Sequence, residues 1–88
     1  MHSKNSKPLT KAERAHLQRV KEQACSVCDA PPPSDAHHID QAQPFTCIAL
    51  CQPCHTGRLG IHGDRTLWRI RKMDELKALN VTLGRVMK

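Results

Sequence analysis

Two Cys-x-x-Cys pairs, Cys25-Ser26-Val27-Cys28 and Cys51-Gln52-Pro53-Cys54, stand 22 residues apart in a chain of 88 residues that holds five cysteines. Four thiolates at this spacing can surround one tetrahedral ion, the arrangement of structural zinc modules. A redox dithiol ordinarily needs only one such pair, in a thioredoxin-like setting. Cys25, Cys28, Cys51 and Cys54 are therefore expected to hold one structural Zn2+. Cys47 is left over; it lies in an apolar run two residues after Phe45 and reads as a buried packing cysteine ahead of a metal ligand or a thiol nucleophile.

Four of the six histidines, His37, His38, His55 and His62, fall within 26 residues around the second cysteine pair. Neutral imidazole binds divalent transition metals, and a site with three protein ligands leaves positions open for water and a phosphate oxygen. Adjacent residues on a strand point to opposite sides, so His37 and His38 cannot both be ligands in the same way. One can bind metal while the other faces the attacking water.

The elements that must position these residues can be read around them. Residues 1–9 are polar, basic and without period, a flexible arm ahead of a single domain over residues 10–88. Thr10-Lys11-Ala12-Glu13 fits a capping box, opening a helix to about Ala24 with Leu17, Val20 and Ala24 on one narrow apolar stripe. Cys25 to Cys28 makes a tight turn, and the three prolines after it form a rigid extended connector. Asp35 to Ile39 and Phe45 to Leu50 read as a β-hairpin. A helix is expected to begin around Pro53 to Thr56, interrupted by Gly57 and Gly60. A last helix, capped by Asp64 or Thr66, would carry Leu67, Ile70, Met73, Leu76 and Leu79 to about residue 79 and end at Asn80 or Gly84.

Composition sets the need for a metal. Hydrophobic residues make up 39% of the chain, with one Phe, one Trp and no Tyr, below the usual share of about 45–50%. A domain near this size buries only roughly 60–65% of its unfolded surface, so a structural ion is a standard supplement to a thin core. The odd cysteine count, with no secretion leader ahead of it, favours reduced thiols and a cytoplasmic protein. The longest apolar run is too short to span a bilayer. The net charge of +6 suits a polyanionic partner, DNA or RNA. Lys11, Arg14, Arg19 and Lys21 on the first helix read as a solvated face or as DNA contacts.

The order Cys-x-x-Cys, His37-His38-Ile39, Leu50-Cys51-x-x-Cys54-His55 and then Gly60-Ile61-His62-Gly63 resembles the HNH endonucleases, also called the His-Me finger or ββα-metal family. Within it the pattern is most similar to small zinc-stabilised phage and bacterial members related to the recombination-enhancement-function (Ref) nucleases. The resemblance covers roughly Cys25 to Gly63. It implies an α+β fold: a small zinc-stabilised ββα-metal, treble-clef-like domain with a β-hairpin and flanking N- and C-terminal helices. It also implies that His37 binds a catalytic divalent ion (Mg2+, Mn2+, Ni2+ or Zn2+) with His55 and His62, that His38 is the general base, and that DNA is hydrolysed. The family's central Asn has no counterpart here; the nearest position holds Thr46 or Cys47. Arg58, Arg65, Arg69 and Arg71 lie beside the ligand segment and read equally as phosphate contacts or as ordinary exposed arginines.

Two other readings compete. A noncatalytic zinc module that binds nucleic acid or protein explains the cysteines and the charge but leaves the histidines clustered without a reason. A histidine-rich metal-storage or sensing protein would be expected to carry a histidine tract, which this chain lacks. In a chain this short, substrate specificity is expected to come from nucleic-acid structure or from a partner protein.

Overall fold

A computed structural model describes residues 8–88, so the expected arm over residues 1–9 lies almost wholly outside the described part. The elements run α1 (Lys11–Lys21), β1 (Asp35–His38), β2 (Cys47–Leu50), α2 (Gln52–His55), α3 (Thr66–Ile70) and α4 (Glu75–Val86). This is a small α+β architecture, a two-stranded hairpin with helices packed on it. Among the described residues no helix is long and apolar enough to cross a membrane.

Helix α1 starts as the sequence signals. The Thr10 backbone N–H donates to Glu13 Oε1 at 2.8 Å and the Glu13 N–H to Thr10 Oγ1 at 3.1 Å, the reciprocal capping box. The helix stops at Lys21 rather than near Ala24. The chain turns there because Ser34 comes back to bind it: Ser34 N–H donates to the Lys21 carbonyl at 2.8 Å and Ser34 Oγ–H to the Gln23 carbonyl at 2.6 Å. The proline connector thus leaves and re-enters at the C-terminal end of α1, delivering β1 alongside it.

The strands are antiparallel, with Asp35 opposite Leu50, Ala36 opposite Ala49, His37 opposite Ile48 and His38 opposite Cys47. Both are shorter than expected, although one further bond, Ile39 N–H to the Thr46 carbonyl at 3.1 Å, extends the hairpin. Phe45 is outside β2 and 48% exposed. Strand alternation divides the two faces. Ile48 and Leu50 join Cys25, Cys54, Ile61, Trp68 and Ala78 in one core cluster. Cys47 and Ala49 join Val20, with Leu17, Ala36 and Val86 packed around them, in a second cluster under α1. Cys47 is fully buried, as expected for a packing cysteine, and burial raises its thiol pKa.

The C-terminal helix requires a correction. The stripe from Leu67 to Leu79 predicts one continuous helix, but the chain breaks between α3 and α4, with Lys72 in the left-handed region at φ 53°. Trp68 explains the break. Its indole N–H donates to the Cys54 carbonyl at 2.8 Å and its own carbonyl accepts from Met73 N–H at 2.9 Å, so the turn closes on the buried ring. Asp74 then caps a new helix, accepting from Lys77 N–H at 2.8 Å. The reorientation leaves Ile70 and Leu76 67% and 75% exposed. Neither Asn80 nor Gly84 ends α4, which runs to Val86; Gly84 faces open space and is accommodated as a solvent-side helix residue. Ala78 and Thr82 are the buried face, and Thr82 Oγ1 links α4 to the hairpin by accepting from Ala49 N–H at 3.2 Å and by pairing with Ser26 Oγ at 2.6 Å.

Candidate metal centres

The two cysteine turns meet because each is tied to the hairpin. Ser26 N–H donates to the Ala49 carbonyl at 2.9 Å, holding the first turn against β2, and β2 itself runs directly into Cys51. Cys51 is the N-cap of α2, with Pro53 in the first turn, where its missing N–H costs nothing. Cys25, Cys28, Cys51 and Cys54 consequently bring their sulfurs within 4.8 Å of one another, a group that could hold a zinc ion. Cys28 and Cys51 Sγ are 3.6 Å apart, close to the edge of about 3.8 Å that 2.3 Å bonds give in a tetrahedron. That separation is far beyond a disulfide bond of about 2.05 Å.

Donor chemistry points the same way. Burial raises the Cys25 thiol pKa, but backbone N–H groups of Cys51, Cys28 and Val27 outweigh it, and the net shift is downward. Burial, helped by the Cys28 side chain and then the Cys25 charge, pushes Cys51 up to about 11, and burial with the Cys25 charge raises Cys54 as well. One thiolate is stabilised while its neighbours are opposed, so four together need a cation to compensate them.

The histidines form a second, separate group. His37, His55 and His62 place ring nitrogens within 4.8 Å of one another and could also hold an ion. Their ring centroids are 5.3 Å (His37 to His55), 5.0 Å (His37 to His62) and 4.9 Å (His55 to His62) apart. His37 comes from β1 and His55 from the last residue of α2. His62 is returned by a loop: Ile61 N–H donates to the Cys54 carbonyl at 2.9 Å and His62 N–H to the His55 carbonyl at 3.0 Å.

Such close return explains the glycines around His62. A Cβ at Gly63 would lie 2.1 Å from the Arg58 carbonyl oxygen, and one at Gly60 2.6 Å from the Pro53 oxygen. Both neighbours are backbone and neither can move alone. Gly63→Ala is therefore expected to cost about 2 kcal/mol, a fall in Tm of roughly 10 °C for a domain of this size. Thermal melts with zinc present check it, and an unchanged Tm would show that the loop is looser than its contacts indicate.

Two carboxylates hold two of these imidazoles. His55 Nδ1–H donates to Asp35 Oδ2 at 3.0 Å, which leaves Nε2 as the free lone pair. His37 Nε2–H donates to Glu75 Oε2 at 2.8 Å, which leaves Nδ1. Burial lowers the His37 pKa, opposed by Glu75 and reinforced by His55 and His62, so the net shift favours the neutral imidazole that a metal requires.

His38 lies outside this group. Its neighbours in the pleat turn it to the α1 side of the hairpin, where it is half-buried. Burial, and secondarily Lys21, lowers its pKa. The resulting neutral imidazole is in the form a general base needs.

Arg58, Arg65, Arg69 and Arg71 are all exposed. Arg65 and Arg69 are partly engaged by backbone: Arg65 Nε–H donates to the Ile61 carbonyl at 3.2 Å and Arg69 Nη1–H to the Asp64 carbonyl at 2.7 Å. At the hairpin tip, where the family pattern would have Asn, Thr46 Oγ1–H donates to the Gln43 carbonyl at 2.8 Å and buried His16 donates through Nε2–H to the Phe45 carbonyl at 3.1 Å.

Sequence reasoning missed Asp35, His16 and Glu75. Asp35 had a signal, since it stands two residues before His37 on the same face of one strand. His16 shares the α1 stripe with Val20, four residues on, but nothing local marks its carbonyl partner. Glu75 meets His37 across 38 residues and had no signal. The fold and its two ligand groups define a small α+β domain with a four-cysteine and a three-histidine centre. Comparison with protein-family models, curated proteins and solved structures gave no match.

Proposed function

We propose that the chain is a metal-dependent endonuclease of the HNH type, a ββα-metal, treble-clef-like domain whose cysteines bind structural zinc and whose histidines hydrolyse phosphodiester bonds in DNA. The observation that carries this reading is the convergence of His37, His55 and His62 from a strand, a helix and a loop, with His38 next to His37. A noncatalytic zinc module has no need of such a convergence.

The three imidazoles fit a divalent ion. When bound, that ion supplies Lewis-acid stabilisation of the charge that grows on the phosphate and the leaving oxygen. The rest of the chemistry belongs to side chains. His37 and His38 are successive residues, with Cα atoms about 3.8 Å apart, and point to opposite sides of β1. For His38 to act on a phosphodiester held by His37, the substrate must reach both faces of β1. Neutral His38 removes a proton from water as the oxygen bonds to phosphorus, and the bond from phosphorus to the sugar oxygen breaks opposite it. Arg58 and Arg71, with Arg65 and Arg69 where they can exchange their backbone bonds, supply phosphate contacts. The same reading makes the chain a phage or bacterial protein that works in the cytoplasm, alone or with a partner protein.

Incubation of supercoiled plasmid and single-stranded DNA with zinc-loaded protein tests this directly, with magnesium, manganese, nickel or no added metal. Nicking or cutting that requires the second metal is expected. DNA binding without cleavage under every metal would favour the noncatalytic module instead.

A further inference from the structure

We infer that Glu75, outside the nuclease-like stretch, is a positioning residue for the three-histidine centre, holding His37 so that Nδ1 is the nitrogen presented to the ion. This inference rests on the metal-site part of the reading above, but not on DNA cleavage. Its basis is the 2.8 Å bond between His37 Nε2 and Glu75 Oε2. An imidazole that donates one ring N–H to a carboxylate has its tautomer and ring orientation fixed, and its other nitrogen becomes a better ligand.

The carboxylate is held by rigid structure. Glu75 is the first residue of α4, directly after the Asp74 cap, and the helix is anchored by Ala78 and Thr82 in the core. Thr82 binds the backbone of β2 opposite the strand that carries His37. Histidine and carboxylate are thus set by two elements that are both fixed to β2, β1 by strand pairing and α4 by packing. The Asp35 bond to His55 is the local counterpart, so two of the three imidazoles have a carboxylate behind them. Glu75 is not itself in the group whose ligand atoms lie within 4.8 Å of one another, which makes it a support for a ligand rather than a fourth ligand.

The test uses zinc-loaded protein with nickel as the probe of the histidine centre, titrated calorimetrically into wild type, Glu75→Ala and Glu75→Gln. Glu75→Ala is expected to weaken nickel binding 10- to 100-fold while keeping one zinc per chain. Glu75→Gln, which retains an oxygen acceptor, should lose less. Nitrogen-15 spectra should show His37 as the Nε2–H tautomer in wild type and as a mixture in Glu75→Ala. Unchanged nickel affinity in Glu75→Ala overturns the inference, and so does a lowered Tm with that affinity intact, which would make the pair purely structural. Absence of nickel binding to wild type removes the metal site and the inference with it. Weakened nickel binding without DNA cleavage by any variant leaves the inference standing and removes the nuclease reading.

Discussion

Stripping zinc from Cys25, Cys28, Cys51 and Cys54 is expected to unfold the whole domain rather than loosen one corner. Structural zinc contributes on the order of 10 kcal/mol or more to small modules, while a complete domain has a net stability of about 5–15 kcal/mol. The larger core cluster is built around this group: Cys25 and Cys54 belong to it directly, Cys28 and Cys51 pack on its edge, and Trp68 hangs from the Cys54 carbonyl. Loss of the ion would leave four unligated sulfurs in the middle of the fold, with nothing joining the two cysteine turns through them. A strong chelator, or Cys54→Ser, should abolish the cooperative melt followed by circular dichroism. Cys47→Ala is the control, because that thiol is equally buried but stands in the α1 cluster. It should keep one zinc and lose about 1–2 kcal/mol from the small cavity. A cooperative melt for zinc-free protein would show that the core suffices alone and that the cysteines have another purpose.

On the nuclease reading proposed above, the second large effect concerns His38 as base and His55 as ligand, which should fail in different ways. His38→Ala is expected to lower the cleavage rate by about 100- to 10,000-fold, the usual worth of a positioned general base, while both metal sites and DNA binding persist. His55→Ala should lose the second ion and cleavage together, because it removes one of three ligands and leaves Asp35 without its partner. Parallel cleavage assays and nickel titrations separate the two. Equal loss of nickel in both variants would place His38 among the ligands and contradict its role as base. Full activity in His38→Ala would move the proton transfer to another group.

The parts of this molecule legible in its sequence are those set by short-range chemistry. Paired Cys-x-x-Cys spacing marked the four sulfurs that come together, and Thr10 with Glu13 marked the start of α1. Alternation along a strand assigns His37 and His38 to opposite sides, and the pleat of β1 does send them there. What escaped depends on distant packing. The apolar stripe from Leu67 to Leu79 suits a continuous helix, and only the docking of Trp68 onto Cys54 shows why the chain must break before Asp74. Gly84 reads as a helix stop until its side of α4 is seen to be solvent. Glu75 acquires meaning only once α4, packed on β2, brings it to His37, because nothing near residue 75 in sequence refers to His37.

On the proposed reading, cysteines hold the fold and histidines do the chemistry, as two independent centres. Native mass spectrometry of wild type and of a His37→Ala, His55→Ala, His62→Ala variant, each dialysed with zinc and then offered nickel, tests it most directly. One retained zinc in both proteins, with a further nickel only in wild type, is the expected result. Loss of the retained zinc or of the folded charge-state distribution in the variant would mean that the histidines help to hold the fold. A nickel bound by the variant as readily as by wild type would contradict the histidine centre itself.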